Sequence, residues 1–491
     1  MMENIEVCLG YNCEKKGSKG LKERLERVVE GLDYKITEKD CTGHCSIGPT
    51  VRIGGDIYSG SYGVFVQSDE ELRKFLMAYQ SITRIEGDCE KAEGKDCGLA
   101  VDIGTTVIKA SLVDLVNGHT LGEVSTLNKQ RAYGATVLHR WNYFDKAKSR
   151  RKANLKNLSR IVQKSVEDIR SFFVERSSAN ISQIVLAGNT AMTYFFLNED
   201  PCLTLENKPD YTSIKSKGSN VLVPCIFEWV GGDIVSGMVY LGFDKFDRNA
   251  MLIDLGTNGE VALSARDGNI LVASASAGPA FEGEGFRCGM PYMEGAIYEV
   301  SLDGGKFQYK VVGQKEPLGL CGSGMLDLIA EMLANGIMDK SGKLDKKYAT
   351  QFFLTKDISV TEDEILYFRN SKAAIFATIQ TVLQEAGLSH EELDIIYVAG
   401  GFGNMNIEKA QLIGLLPPSD KYRFVGNTSL KGAQHCLRQE NLARAELIAK
   451  SSTPLTLTES DRWMEHYKAS RFFPHTDTVL FSKVLARYRI G

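Results

Sequence analysis

Hydrophobic and polar positions divide the chain into stretches of different period. Leu21, Leu25, Val28, Val29 and Leu32 recur at helical spacing and mark one apolar stripe. Tyr34-Lys35-Ile36-Thr37 alternates with the period of a strand. Thr50-Val51-Arg52-Ile53 and Ile57-Tyr58 flank Gly54-Gly55-Asp56, the pattern of a hairpin. Ser68 and Glu71 form a capping-box signature for a helix from Asp69 to Tyr79. The order predicted over residues 1–80 is strand, helix, strand, hairpin, helix. Residues 81–97 are charged, contain glycine and have no period, which predicts a flexible tether.

Beyond the tether the pattern repeats. Leu99-Ala-Val-Asp102-Ile-Gly104-Thr105-Thr106 is an apolar strand, an Asp, a Gly-Thr turn and a return strand. Met251-Leu-Ile-Asp254-Leu-Gly256-Thr257-Asn258-Gly259 repeats that order. Ile184-Val-Leu-Ala-Gly188-Asn189-Thr190 and Ile395-Ile-Tyr-Val-Ala-Gly400-Gly401 are buried-strand runs ending in a glycine turn before a helix. A duplication of this kind predicts two similar α/β lobes facing one another, residues 98–250 and residues 251–491 with a C-terminal segment. Thr361 to Glu364 reads as an acidic helix N-terminus, and Trp463, Phe472 and Phe473 as pins for the C-terminal segment.

Composition narrows the class. The 491 residues are 43% hydrophobic and 24% charged, with 58 basic against 62 acidic side chains. A net charge of -4 gives no electrostatic case for nucleic acid or an anionic membrane. No apolar run approaches the roughly 18–20 residues that span a bilayer, and the N-terminus lacks a signal-peptide pattern, so a cytoplasmic protein is expected. Eleven cysteines is an odd number, which argues against a closed disulfide framework.

Cys8, Cys13, Cys41 and Cys45 crowd into the first 45 residues as C-x4-C and C-x3-C pairs that follow strands. Four converging thiolates bind zinc or an iron–sulfur cluster, and the wide spacing favours the cluster. Cys41-Thr-Gly-His-Cys45-Ser-Ile-Gly-Pro49 resembles the thioredoxin-like 2Fe–2S ferredoxins. That resemblance implies a 2Fe–2S cluster held by the four cysteines.

The paired turns carry phosphate chemistry. Glycine lets backbone N–H groups approach phosphate oxygens, and Gly104, Thr105, Thr106, Gly256, Thr257, Asn258 and Gly259 supply such donors, with Asn189 and Thr190 at the strand–helix turn. Asp102 and Asp254 at strand ends can hold Mg²⁺ through water. Gly400 and Gly401 leave room for the adenosine side, and Gly322 and Ser323 are further candidates for nucleotide binding. Glu282 and Asp233 are further candidates for catalysis or metal binding. The duplication resembles the superfamily of actin, sugar kinases and heat-shock chaperones, which implies ATP bound between ribonuclease-H-like lobes.

Asn128-Lys-Gln-Arg-Ala-Tyr-Gly134, Gly278-Pro-Ala-Phe-Glu282-Gly283, Leu320-Cys-Gly-Ser-Gly324 and Lys372-Ala-Ala-Ile375, in this order, resemble the ATPase domain of the reductive activators of corrinoid proteins. The family's usual N-terminal unit is a plant-type ferredoxin, which the thioredoxin-like pattern replaces here, and Thr136 stands where the family typically has Asp. The resemblance implies an ATP-hydrolysing iron–sulfur reductase that returns a partner's cob(II)alamin to cob(I)alamin. It also implies a corrinoid protein as partner and a low-potential electron donor; a homodimer is left open. The alternatives are an electron activator for another metalloenzyme, such as a radical 2-hydroxyacyl-CoA dehydratase, and a non-catalytic nucleotide- or redox-sensing protein.

Overall fold

The computed structural model describes residues 3–42, 44, 48–82, 85–134, 136–145, 149–201, 208–400, 405–457 and 460–490. It divides into two compact units. The first comprises Met1–Gly237 and Ser429–Glu446, and the second Met238–Thr428 and Leu447–Gly491.

The first unit opens with the predicted small sheet. Its strands are β1 (Glu3–Cys8), β2 (Tyr34–Lys39), β3 (Thr50–Ile53) and β4 (Asp56–Ser59), in the order β2-β1-β3-β4. β1 runs parallel to β2 and antiparallel to β3. Helix Ser18–Val28 buries Leu21, Leu25 and Val28 against this sheet, as the stripe predicts. The Ser68 hydroxyl accepts from Glu71 N at the start of helix Asp69–Ile82. The hairpin turn is only Gly54-Gly55; Asp56 belongs to β4 and is fully buried.

The expected tether is corrected at its centre. β5 (Glu86–Cys89) pairs antiparallel with the later strand Thr120–Leu127, Glu86 opposite Ser125 and Cys89 opposite Gly122. Ala92 is buried and its N–H donates to Ser177 O. An edge strand of four residues takes its order from the neighbouring strand, so a charged stretch without period can still be fixed.

β5 edges a sheet with β6 (Asp96–Ile103), β7 (Val107–Asp114), β8 (Thr120–Leu127), β9 (Asn180–Gly188), β10 (Lys215–Lys217) and β11 (Asn220–Leu222). The order is β10-β11-β9-β6-β7-β8-β5. One continuous apolar core joins both sheets of this unit, from Ile5, Val7 and Tyr58 to Leu99, Val101 and Phe195.

The second unit repeats the topology. β12 (Ala250–Leu255), β13 (Gly259–Ser264) and β14 (Ile270–Ala275) form an antiparallel meander. An insertion follows with β15 (Ala296–Asp303), β16 (Lys306–Val311), β17 (Gly319–Leu320), β18 (Gln351–Phe353) and β19 (Ser359–Thr361). β20 (Ile395–Gly400), β21 (Tyr422–Gly426) and β22 (Ser452–Pro454) complete the order β21-β20-β12-β13-β14-β22. The central order β14-β13-β12-β20-β21 matches β8-β7-β6-β9-β11, with the same antiparallel and parallel pairings. Helix Glu362–Glu385 starts at the expected acidic N-terminus, and Thr361 and Glu364 close a capping box on it. Phe473 is buried and Trp463 Nε1 donates to Thr378 Oγ1, but the Phe472 ring is largely exposed and only its carbonyl is used.

Candidate functional site

The cysteine end comes first. Cys8 is the last residue of β1, and Cys13 lies in the short helix Tyr11–Glu14 rather than in open loop. Their thiols hydrogen-bond to each other. Burial raises the Cys8 thiol, but hydrogen bonds from Gly10 and Thr42 outweigh it and bring it down to about 7. Burial and its contact with Cys8 push Cys13 up. Thr50 also reaches the Cys13 thiol, and its hydroxyl lies 2.7 Å from that of Thr42. Gly10, between the two cysteines, packs against Cys41: a Cβ there would lie 3.5 Å from Cys41 Cβ. Cys45 lies outside the described residues. Among the described residues no cluster of three or more His, Cys, Asp or Glu stands at metal-binding separation. Two thiols in contact, with the Cys41 side chain starting beside the loop that joins them, fit a thiolate-held group.

The Asp102 turn meets three other segments of the first unit. Asp102 is half-buried near the end of β6, and its Oδ1 accepts from Ser429 Oγ at 2.8 Å. Asp233 sits in the first turn of helix Gly232–Leu241. Burial, with the Asp102 charge adding, raises its carboxyl to about 7 against the backbone N–H groups that favour the anion. Asn189 caps helix Thr190–Leu197 through Met192 N, and its Nδ2 donates to Thr105 Oγ1 at 3.0 Å. Thr190 is buried and its hydroxyl donates to Phe227 O at 2.6 Å, so it stiffens the turn. Gly104 and Thr106 lie beside these groups in the turn between β6 and β7.

The Asp254 turn has its own partners in the second unit. Thr257 Oγ1 donates to Glu282 Oε1 at 2.6 Å, which sets a carboxylate over the Gly256–Asn258 turn. Gly256 N donates to Asn258 O at 3.0 Å. Gly400 pairs with Leu255 at φ +108°, and a Cβ there would lie 2.2 Å from the Leu255 carbonyl and 3.2 Å from Asp254 Oδ1. Gly259 is a buried strand residue packed on Ile375. Gly322 and Ser323 open helix Gly322–Ala334 from buried positions, and Ser323 Oγ donates to Tyr298 O at 2.9 Å. Gly401 lies outside the described residues.

Ser429, Asn128 and Arg140 escaped the sequence-based selection of site residues. Asn128 Nδ2 donates to Gly104 O at 2.8 Å, and the buried Arg140 donates to Thr105 O. A signal for Ser429 was present: Val425-Gly-Asn-Thr-Ser-Leu430 echoes Ala187-Gly-Asn-Thr-Ala-Met192, each between a strand and a helix. Thr136, in place of the resembled family's Asp, accepts from His139 N at 3.3 Å at the start of helix Val137–Asp145. Its hydroxyl caps as a carboxylate would.

An Asp–Gly–Thr turn leaving the first strand of the same five-stranded arrangement, twice in one chain, defines an ATPase of the actin, sugar-kinase and heat-shock-chaperone class. Comparison with known proteins narrows that class. The family model for the C-terminal domain of RACo, the ASKHA domain, matches residues 248–485, and the model for the RACo middle region matches residues 97–216. The corrinoid activation enzyme RamQ of Eubacterium limosum is 30% identical over 422 residues, covering 77% of this chain and 70% of its own. The [Co(II) methylated amine-specific corrinoid protein] reductase of Methanosarcina barkeri is 25% identical over 406 residues, covering 72% and 73%. A solved structure of a reductive activator for corrinoid, iron-sulfur protein superposes with a TM-score of 0.69 at 37% identity, over 80% of this chain and 68% of that one. The chain belongs to the RACo family, the ATP-dependent reductive activators of corrinoid proteins. No helix among the described residues is long and apolar enough to cross a membrane.

Proposed function

We propose that this chain spends ATP to return the cob(II)alamin of a partner corrinoid protein to cob(I)alamin, one electron at a time, through an iron–sulfur group at its N-terminus. The observation that carries this reading is the shared core of the first unit, which packs the cysteine-bearing sheet and the Asp102 turn into one body.

Cys8, Cys13, Cys41 and Cys45 are the residues that would hold a 2Fe–2S cluster. Such a cluster supplies a one-electron carrier, with ferredoxin-type potentials near about −400 mV. Co(II) in a corrinoid is harder to reduce, so the transfer needs a second source of free energy. A nucleotide that binds two conformations with different affinity provides it.

The turns take the phosphates. Gly104–Thr106 and Gly256–Asn258 present backbone N–H groups and hydroxyls, and Asp102 and Asp254 are the residues that would hold Mg²⁺ through water. Ser429 keeps the Asp102 carboxylate oriented, and Asn189 fixes the Thr105 hydroxyl. Glu282, tied to Thr257, orients the attacking water. Asp233 stands beside Asp102 as a carboxyl that can carry a proton near neutrality. A low-potential protein donor would re-reduce the N-terminal group.

The test is anaerobic visible spectroscopy of the chain with corrinoid partner proteins, a reductant, and Mg·ATP added or withheld. Conversion of the Co(II) to the Co(I) spectrum only with ATP supports the reading. ATP hydrolysis with no corrinoid reduction, or reduction indifferent to ATP, overturns it.

A further inference from the structure

The sheet that bears the cysteines rests on residues 129–133, and buried polar contacts lock the two together. Lys129 Nζ lies 2.7 Å from Asp56 Oδ2, and both side chains are buried. Ser59 N donates to Tyr133 Oη at 2.9 Å, and from the neighbouring helix Arg151–Ser177 the half-buried Arg160 donates to Ile57 O at 3.0 Å. Gly63, at φ +60°, sits so close to the segment that a Cβ would lie 1.8 Å from Ala132 O. Ser59 is the cross-strand partner of Thr50, the residue whose N–H and hydroxyl reach the Cys13 thiol.

The same segment holds the Asp102 turn at its other end. Asn128, one residue before Lys129, donates from Nδ2 to Gly104 O at 2.8 Å and from its backbone N to Thr106 O at 2.9 Å. Its Oδ1 accepts from Gln130 N at 3.1 Å. Arg140 is fully buried and donates to Thr105 O, to Gly134 O at 2.9 Å and to Gln130 Oε1 at 3.3 Å. The three carbonyls of the turn, at residues 104 to 106, are therefore held by groups that also fix the seat of the cysteine-bearing sheet. Close-packed interiors pass a displacement on to their neighbours.

We propose that Asn128 and Arg140 are positioning residues that transmit nucleotide occupancy of the Gly104–Thr106 turn to the cysteine-bearing sheet through its seat on Lys129–Tyr133. This rests on the nucleotide reading of the Asp102 turn. When phosphate draws on the turn's N–H groups, its carbonyls shift, and the Asn128–Arg140 segment shifts with them. Ser59–Val66, which rests on that seat, answers, and with it Thr50 and Cys13. The coupling is a free energy shared by two sites, so it acts in both directions.

Hydrogen–deuterium exchange of the full chain, with and without saturating Mg²⁺ and the non-hydrolysable analogue AMPPNP, tests it. Exchange at residues 59–66 should slow by about fivefold or more with nucleotide, the lower end of ordinary allosteric couplings. In Asn128→Ala at saturating nucleotide, that response should vanish while protection at residues 103–107 remains. Should this variant not fold, Arg140→Lys keeps the charge but loses the guanidinium fork, and the same result is expected. Each variant is compared with itself, so a uniform loss of stability does not mimic the effect. Protection at 103–107 without any change at 59–66, or an undiminished response in the variant that folds, overturns the coupling alone. No protection at 103–107 or at 254–259 overturns the nucleotide reading, and this proposal with it.

Discussion

Asp102 and Asp233 show how single side chains set the chemistry of the first unit. Asp102 keeps a donor in Ser429, whereas Asp233 is half-buried beside the Asp102 charge and is held up to about 7. A carboxyl whose folded value is raised binds more protons folded than unfolded, so stability falls as pH rises from the ordinary 3.8 to about 7 and is flat above that. Asp233→Asn should therefore stabilise the chain, raising its melting temperature by the equivalent of about 1–3 kcal/mol at pH 8 and about a third as much at pH 5, without nucleotide or Mg²⁺ present. The same variant should lose ATP turnover, since a strained carboxyl retained at a cost is one kept for function. Thermal melts at the two pH values, beside an ATPase assay, decide it. Glu282→Gln keeps the contact to Thr257 but removes the charge; turnover should fall by about 10²-fold with nucleotide affinity little changed.

At the scale of elements, the C-terminal segment is held by a buried lysine and a neutral histidine. Lys372, in helix Glu362–Glu385, donates to Phe472 O at 2.6 Å and Pro474 O at 2.7 Å, and burial drives its ammonium well below the usual range. His475 packs its ring on Phe376 and Phe481, and burial, with Lys372 nearby, lowers it to about 4. Its Nδ1 accepts from Asp477 N, so the neutral form is the one built in. A histidine with a depressed folded value contributes stability above its ordinary value of 6.5, and that contribution is lost as pH falls from there through about 4. Limited proteolysis should release residues 472–490 progressively over that window, with on the order of 2–3 kcal/mol at stake. Equal cleavage at pH 7.5 and pH 4.5 would refute it. Lys372→Met leaves two buried carbonyls unpaired and should loosen the segment at every pH.

At the scale of the whole molecule, the first unit has one core spanning two sheets. Its weakest point electrostatically is the Lys129–Asp56 pair, because the Asp56 carboxylate is fully buried and its Oδ1 has no hydrogen-bond partner among the described residues. Lys129→Met leaves that charge uncompensated and should cost about 3–5 kcal/mol. The loss should appear in one cooperative transition that includes the cysteine-bearing sheet, followed by tryptophan fluorescence and by far-ultraviolet dichroism together. Separate melting of residues 1–82 would show an independent domain instead.

The division between sequence and tertiary structure follows from the range of the forces involved. Periodicity, glycine turns and helix starts are local, so the stripe at Leu21–Val28, the helix start at Thr361 and both Asp–Gly–Thr strands were legible along the chain. Duplication was legible too, because a repeated motif needs no knowledge of where it folds. The partners of Asp102 and Thr105 were not: Ser429 lies 327 residues from Asp102, and Asn189 lies 84 from Thr105. Asp56 looked like a turn residue until its burial against Lys129, 73 residues away, made it an anchor. The supposed tether became a strand because β8 offered it an edge. Local chemistry determined what each segment could be, and burial, which depends on residues far away in the chain, decided which charges met and which sheet the cysteines would rest against.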